Sequence, residues 1–211
     1  MSQTSLAFPS SARPAHLPPF ATRIAAWQVR HGRHHLPWQS DDPYRVWLSE
    51  IMLQQTQVAT VLDYYPRFLA RFPDVAALAT ASADDVLACW SGLGYYSRAR
   101  NLHQAAQQVM DTFGGHFPAD RAALETLRGV GRSTAAAIAV FAYGHKEAIL
   151  DGNVKRILAR HAGIYGAPEH PATQQALWAA AEARLPDDAA TLRRYTQGLM
   201  DLGSAICTRS R

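Results

Sequence analysis

Apolar residues recur at helical spacing along almost all of the 211-residue chain, and no segment alternates as a half-buried strand does. Glycine and proline interrupt this pattern at nearly every joint, as they do between short helices. Asp42 and Pro43 mark one helix start, with an acid at the N-cap and proline at the first helical position. Only residues 148–150 are β-like, and they are too few to build a sheet. The chain therefore predicts an all-α fold.

The predicted helices follow from this periodicity and from the Gly and Pro positions. We expect them over residues 21–30, 43–53, 58–72, 83–91, 98–113, 119–127, 133–142, 153–161, 173–184 and 189–206. The length suits one large or two small domains. Residues 1–20 are rich in Ser and Pro and lack the apolar core of a secretory signal, so we expect a disordered leader.

Composition limits the class of protein. Hydrophobic residues make up 48% of the chain and charged residues 18%, which fits a globular protein with a buried core. No apolar run is long enough to span a membrane. The net charge of +4 is consistent with a polyanionic partner. Two cysteines, Cys89 and Cys207, do not make a disulfide framework, so a cytosolic compartment is expected.

A Gly-Val-Gly turn at residues 129–131 lies between two predicted helices. Backbone N–H groups at the start of the second helix, together with its dipole, suit a phosphate group. Arg128 and Arg132 flank the turn and can add phosphate contacts. A plain helix–helix turn is the competing interpretation. A dinucleotide-binding fingerprint fails, because Thr134 stands where the third small residue belongs and no strand precedes the turn.

Two carboxylates have settings that predict opposite shifts in pKa. Glu50 lies among apolar residues of a predicted helix, where burial would raise its pKa and keep it protonated. Asp151 stands at a predicted N-cap, where a helix terminus stabilises the ionised form. Such a pair suits an acid and an anionic stabiliser. The competing interpretations are an exposed Glu50 and an Asp151 that only caps its helix.

Two further segments suit nucleic acid. The glutamine-rich run 54–57 can contact base edges or fill a gap in a base stack, or else it is a polar helix surface. Residues 92–101 combine two tyrosines with two arginines, which suits stacking and phosphate contact; core tyrosines are the alternative. The histidines at positions 31, 34 and 35 do not pair with cysteines at metal-ligand spacing, which favours a surface cluster.

With these motifs together, the chain resembles the helix-hairpin-helix DNA glycosylase superfamily, and within it the adenine DNA glycosylases. The resemblance runs from about residue 21 to the end and is carried by LPWQ (36–39), PYRVWLSEIMLQQTQVATV (43–61), GLGYYSRARNLHQAAQQV (92–109), LRGVGRSTAAAI (127–138), LDGNVKRILAR (150–160) and MDLGSAICTRS (200–210). It implies removal of adenine mispaired with 8-oxoguanine or guanine in duplex DNA, by a monomer with two helical lobes and no membrane partner.

The resemblance also implies roles for individual residues. Glu50 corresponds to the general acid that protonates adenine N7, and Asp151 to the carboxylate that stabilises the oxocarbenium-like sugar. Asn153 corresponds to a residue that orients the catalytic groups and water. Gln55 and Tyr95 correspond to residues that intrude into the stack beside the lesion. The hairpin residues implied to bind DNA are Arg128, Gly129, Val130, Gly131 and Arg132.

Ser133 separates two reaction types within the superfamily. It corresponds to a catalytic-pocket position that holds Tyr or Ser in adenine glycosylases and Lys in the endonuclease III type, where the Lys forms a Schiff base. Ser133 and Glu50 therefore predict a monofunctional glycosylase. Two alternatives remain open: a bifunctional glycosylase/lyase, and a DNA-binding fragment with little or no activity.

The resemblance further implies a [4Fe–4S] cluster on four cysteines. Cys207 corresponds to its first ligand, and the other three are absent from this sequence. We therefore expect a C-terminally truncated catalytic region. The expected organisation is a leader over residues 1–20, a lobe over 41–152 with the helix-hairpin-helix at 127–143, and a second lobe formed by 21–40 and 153–211. The expected location is the cytoplasm, with association with the nucleoid if the source is bacterial.

Overall fold

The structure is a computed structural model that describes residues 17–209, and within them every regular element is helical. The all-α prediction is confirmed, and residues 148–150 form no strand. The elements are α1 (Phe20–His31), α2 (Pro43–Leu53), α3 (Val58–Arg71), α4 (Val75–Thr80), α5 (Ala83–Trp90), α6 (Ser97–Phe113), α7 (Arg121–Glu125), α8 (Arg132–Ile138), a π-helical turn (Ala139–Tyr143), α9 (Gly152–Ala162), α10 (Pro171–Glu182) and α11 (Ala189–Ala205).

Acidic N-caps begin several of these helices. The Asp42 carboxylate accepts hydrogen bonds from the backbone N–H groups of Tyr44 and Arg45, so the start predicted for α2 is confirmed. Helix α4 has no counterpart among the predicted helices. Asp74 caps it by accepting from the Ala77 N–H at 2.8 Å. The helix has only six residues, too few for a periodic pattern to be visible in sequence.

Two clusters of buried side chains give the fold its two lobes. The first cluster centres on α2, α3, α5 and α6 and contains the large side chains Trp47, Tyr65, Phe68 and Trp90. The second joins α1, α9, α10 and α11 through side chains such as Ile24, Leu158, Leu177, Tyr195 and Leu199. Helix α8 contributes to both, since Ala135 and Ile138 belong to the first cluster and Ala136 and Ala137 to the second. The cleft between the lobes therefore lies beside α8.

Helix α1 belongs to the second lobe although it begins the described chain. Gly198 on α11 allows close contact, because a Cβ there would lie 2.8 Å from Ile24 Cγ2 and 3.0 Å from Ile24 O. The Phe20 ring stacks on His161 with 4.0 Å between centroids. Helix α1 thus begins at the last residue expected for the leader, and residues 1–16 of that leader lie outside the described residues. The exact lobe boundaries stay a prediction.

No helix within residues 17–209 combines the length and the hydropathy that crossing a lipid bilayer requires.

Candidate active site

The four residues predicted to be catalytic line one cavity of about 630 Å³ between the lobes. Glu50 comes from α2, Ser133 from α8, and Asp151 and Asn153 from the start of α9. They come from three helices that are separated in sequence. The cleft therefore brings together an acid, a hydroxyl, a second acid and an amide, as the motifs led us to expect.

Glu50 lies on α2 and its carboxyl group faces the cavity. The preceding residues Trp47, Leu48 and Ser49 are buried, while Glu50 keeps a partial exposure toward the cleft. Burial, followed by the negative charge of Asp151, raises the pKa of Glu50 to about 8. The predicted direction is confirmed. A carboxyl group with this pKa is protonated at neutral pH and can donate a proton.

Asp151 caps α9, but its pKa moves opposite to the prediction. Its Oδ1 accepts from the Val154 N–H at 2.8 Å, and its Oδ2 accepts from Asn153 Nδ2 at 3.3 Å. These bonds and the nearby Arg156 charge lower the pKa, yet burial outweighs them and raises it. The expectation of a lowered pKa is therefore wrong, because it counted the cap and not the loss of solvent around the carboxylate.

Asn153 is fixed from its other side by Arg156, a residue that the sequence interpretation missed. Arg156 Nη2 donates to Asn153 Oδ1 at 2.9 Å and to the Gly203 carbonyl at 2.6 Å. Helix α11 approaches closely here, since a Cβ on Gly203 would lie 2.5 Å from Asn153 Cβ. The available signal was helical spacing, because Arg156 follows Asn153 by three residues on one helix.

Ser133 holds the segment that leads to Asp151. Its hydroxyl oxygen accepts from the Leu150 N–H at 2.9 Å. This bond links the first turn of α8 to the residue immediately before Asp151. Ser133 therefore positions the acid's backbone as well as lining the cavity.

A second cavity of about 690 Å³ adjoins the first, and both share Arg33, Glu50, Leu53, Val58 and Met200. Polar side chains at this second cavity include Gln39 and Gln197, and its apolar lining includes Leu36 and Trp38. A flat, partly apolar ring with hydrogen-bonding edges fits such a lining. Glu50 thus lines both cavities.

Arg33 closes one side of both cavities through an ion pair that the sequence interpretation also missed. Its Nε and Nη2 each lie 2.7 Å from Asp201 Oδ1, and its backbone N–H donates to Asp201 Oδ2 at 3.0 Å. Asp201 is only 2% exposed, and Gln197 Nε2 also donates to it at 3.0 Å. The pair ties the segment after α1 to α11 over 168 residues, which no local pattern reveals.

The two residues predicted to enter a base stack share an unusual backbone conformation. Gln55 has φ of 58° and Tyr95 has φ of 50°, and they are the non-glycine residues with positive φ in the described chain. Gln55 lies in the glutamine turn (residues 53–56) and Tyr95 ends the tyrosine turn (residues 92–95). Both side chains are exposed, Tyr95 by 59%. Strain of this kind concentrates at functional sites.

Not all of the hairpin residues that were predicted to bind DNA are exposed to solvent. Arg128, Gly129 and Gly131 are exposed. The Val130 side chain is 6% exposed in the first core cluster, and its N–H donates to the Leu127 carbonyl at 3.1 Å. The side chain and the N–H of Val130 are thus engaged within the protein, and Val130 as a DNA contact stays a prediction.

The Arg132 side chain, which was predicted to contact a phosphate, is already bound to side chains of α10. Its guanidinium forms an ion pair with Glu182 and lies 3.8 Å from the centroid of the Trp178 ring. Both charged side chains remain about half exposed. A phosphate at this position would have to share the guanidinium with Glu182, which the hairpin sequence alone could not indicate.

The two cysteines lie in different lobes. Cys89 packs against the first core cluster and Cys207 against the second, and Cys207 Sγ accepts from Arg160 Nη1 at 3.1 Å. In residues 17–209, no group of three His, Cys, Asp or Glu side chains could hold a metal ion. Two separated thiols do not fit a cluster that takes four thiolates. Cys207 as a first cluster ligand stays a prediction.

The fold and the cleft define a two-lobed helix-hairpin-helix protein with two carboxylates at its centre. Residues 48–183 match the family model described as "HhH-GPD superfamily base excision DNA repair protein". That match covers more than half of the chain, and the chain therefore belongs to the HhH-GPD superfamily.

Individual relatives agree with this assignment. An adenine DNA glycosylase of Buchnera aphidicola subsp. Schizaphis graminum is 42% identical over 90% of this chain and 54% of its own length. An adenine DNA glycosylase of Homo sapiens is 40% identical over 93% of this chain and 37% of its own. The solved structure of a thermostable thymine-DNA glycosylase has a TM-score of 0.81 at 29% identity, covering 91% of this chain and 88% of that one. The chain spans about half the length of the bacterial relative.

Proposed function

We propose that the protein is a monofunctional DNA glycosylase that excises adenine mispaired with 8-oxoguanine or guanine in duplex DNA. The observation that carries this proposal is the pair Glu50 and Asp151 in one cavity, with the pKa of Glu50 raised to about 8. A protonated acid and a second carboxylate are groups that can cleave a glycosidic bond together, one as proton donor and the other by stabilising the cationic sugar. The relatives named adenine DNA glycosylase support adenine as the base.

The proposed reaction begins when the target nucleotide leaves the helix, at a cost of a few kcal/mol that is lower for a mispair. The adenine enters the cavities that Glu50 lines, and Glu50 donates its proton to N7, an effect typically worth about 10²–10⁴-fold. The bond between sugar C1′ and adenine N9 then breaks, and its electron pair leaves with the base. Asp151 stabilises the cationic sugar, and water adds to C1′ while its proton passes to the Glu50 carboxylate, which restores the acid. Asn153, held by Arg156, orients Asp151.

The monofunctional assignment is supported by the cavity lining. Ser133 stands where a Schiff-base mechanism would need an amine, and its hydroxyl already accepts from the Leu150 N–H. Among the described residues around this cavity none is lysine. No amine is therefore placed to attack the sugar, and water becomes the nucleophile.

Duplex DNA is the proposed partner, bound by a monomer. The exposed hairpin residues Arg128, Gly129 and Gly131 would hold the phosphate backbone, and Gln55 and Tyr95 would enter the stack. The net charge of +4 favours a polyanion. Such a protein works where the DNA is, which in a bacterium is the nucleoid.

The test is incubation with an A:8-oxoguanine duplex, then alkali to cleave the abasic strand. We expect strand cleavage only after alkali, its loss in Glu50→Gln, and unchanged binding in a gel-shift assay. Glu169→Gln, which alters an exposed glutamate outside the cleft, is the matched control. A borohydride-trapped covalent adduct in good yield would show a lyase. Binding without any base release by the unmodified protein would show a non-catalytic DNA-binding protein.

A further inference from the structure

Arg98 is a buried arginine at the start of α6 that the sequence motif suggested as a phosphate contact. The structure places it elsewhere: the residue is only 7% exposed, and its guanidinium points into the first lobe. Its Nη1 donates to the last carbonyls of α2, to Ile51 O at 3.0 Å and to Met52 O at 2.7 Å. Its Nη2 donates to Thr56 Oγ1 at 3.0 Å, in the glutamine turn.

The same Nη2 atom also holds the tyrosine turn. It donates to Gly94 O at 3.2 Å and to Leu93 O at 3.4 Å. The guanidinium lies 5.2 Å from the centroid of Trp90, which precedes this turn, and 5.5 Å from the ring of Tyr95. One side chain therefore joins the two segments that present Gln55 and Tyr95.

The glutamine turn is held in a conformation that glutamine rarely adopts. The Thr56 N–H donates to the Leu53 carbonyl at 3.3 Å. Gln54 has φ −58° and ψ 113°, and Gln55 has φ 58°. These angles describe a type II turn, whose third position normally requires glycine or asparagine. A glutamine there is strained, and the surrounding bonds have to maintain it.

The tyrosine turn is strained in a similar way. Gly94 has φ 76° and Tyr95 has φ 50°, so two consecutive residues adopt left-handed angles. Glycine does this freely, whereas tyrosine does not. The carbonyl of Gly94, immediately before Tyr95, accepts from both Arg98 Nη2 and Trp90 Nε1, the latter at 3.0 Å. The peptide that sets the direction of Tyr95 is therefore fixed by two donors.

The hydrogen bonds of Arg98 contribute little to stability, but they fix the relative position of the two turns. All five of its acceptors are neutral oxygens, and Arg98 Nε is buried without a partner. Burial lowers the pKa of this guanidinium, as expected for a cation removed from water. Buried charges are costly unless they are well paired. A planar guanidinium, however, offers donors in fixed directions that can reach both turns at once.

We propose that Arg98 is a positioning residue that holds Gln55 and Tyr95 ready to enter a base stack before DNA binds. The role concerns unstacking of the target, not the chemistry, since Arg98 does not line the cavity that holds Glu50 and Asp151. That the unstacked nucleotide is a mispaired adenine rests on the proposed function. Lysine cannot replace Arg98, because its single ammonium group has no planar fork with which to span two sets of carbonyls.

The test compares two duplexes that carry the same A:8-oxoguanine mispair. In one, the adenine has normal neighbours; in the other, the adjacent base is replaced by an abasic analogue, so the stack is already broken. For Arg98→Lys, we expect single-turnover base release to fall about tenfold or more on the intact duplex. On the duplex with the broken stack, the rate should stay within about threefold of the unmodified protein, because chemistry is preserved.

A second readout does not depend on base release. With 2-aminopurine beside the mispair, binding of the unmodified protein should raise the fluorescence as the stack opens, and Arg98→Lys should reduce that rise. Val109→Ala is the control for lost stability, because Val109 is fully buried on the same helix and contacts neither turn through hydrogen bonds. If Arg98→Lys does not fold, Thr56→Val removes one of its acceptors and should act in the same direction.

The outcomes separate the two proposals. Equal losses on both duplexes, or no loss on either, would overturn the role of Arg98 and leave the glycosylase function standing. If the unmodified protein releases no adenine but raises the fluorescence, the proposed function fails and the fluorescence of Arg98→Lys decides the positioning role. Absence of any fluorescence rise with the unmodified protein would overturn the positioning role, whereas base release alone decides the glycosylase function.

Discussion

Glu50 on α2 and Asp151 at the N-cap of α9 face the same cavity, and the negative charge of Asp151 raises the pKa of Glu50. An ionised Asp151 disfavours a second negative charge nearby, which adds to the effect of burial and raises the pKa of Glu50 to about 8. When the pair carries one proton, Glu50 therefore holds it, because the charge of Asp151 helps to raise the pKa of Glu50. A glycosidic cleavage needs this division between acid and anion.

The first prediction concerns the pH dependence of base release. The acid form of Glu50 is the active one and its pKa is about 8, so the rate should fall about tenfold per pH unit above that value. A second decline should occur at acidic pH as Asp151 becomes protonated, because burial raises the pKa of this carboxyl group from its ordinary value. Single-turnover rates across pH measure both limbs. A rate that keeps rising above pH 8 would contradict Glu50 as the acid.

The second prediction is that Glu50→Gln makes the folded protein more stable although it stops base release. The folded-state pKa of about 8 exceeds the ordinary value of 4.5, so the native state binds more protons between these values. The stability contributed by the protonated carboxyl is thus present at low pH and lost as pH rises through this window. Glutamine stays neutral, so the free energy of unfolding of the variant should exceed that of the unmodified protein by an amount that grows across this window to about 5 kcal/mol.

Urea denaturation at about pH 5 and about pH 8.5 checks the second prediction, because these values lie at the two ends of the window. The control is again Glu169→Gln, whose difference from the unmodified protein should not change with pH. A Glu50→Gln variant that is less stable at the higher pH would show that the carboxyl is not desolvated in the folded protein.

The third prediction separates the capping role of Asp151 from its role in the cavity. Asn caps helices about as well as Asp, so Asp151→Asn should change stability by less than about 1 kcal/mol. Base release should nevertheless fall by about 10³-fold or more, because the anion is lost. Asp188→Asn is the matched control, since Asp188 caps α11 by accepting from the Thr191 N–H at 2.8 Å. Equal activity of the two variants would refute a catalytic Asp151.

The fourth prediction concerns the strain at Gln55. Gln55→Gly should relieve about 1–2 kcal/mol of left-handed strain and lose about 0.5–1 kcal/mol to the greater freedom of the unfolded chain. Ser91→Gly incurs only the second effect, because Ser91 has φ −56° in an exposed turn. Gln55→Gly should therefore be more stable than Ser91→Gly by about 1–2 kcal/mol in thermal unfolding. The reverse order would show that Gln55 is not strained.

Local features of the fold were predictable because they depend on neighbours a few residues apart. The helical period, the cap at Asp42 and the positive-φ glycine at position 129 of the hairpin each follow from short stretches. Helix α4 was missed because six residues show no period. The helix-hairpin-helix resemblance likewise depended on contiguous motifs, and the matched family confirms it.

The sequence by itself determined the helical elements, the superfamily and the identity of the residues that meet in the cleft. Only the tertiary structure decided their environments. It buried Asp151 enough to reverse its expected pKa shift, paired Arg132 with Glu182, and turned Arg98 inward between two strained turns. The physical reason is that desolvation and hydrogen-bond partners are set by atoms from distant parts of the chain. A residue's type and local spacing leave those atoms unspecified.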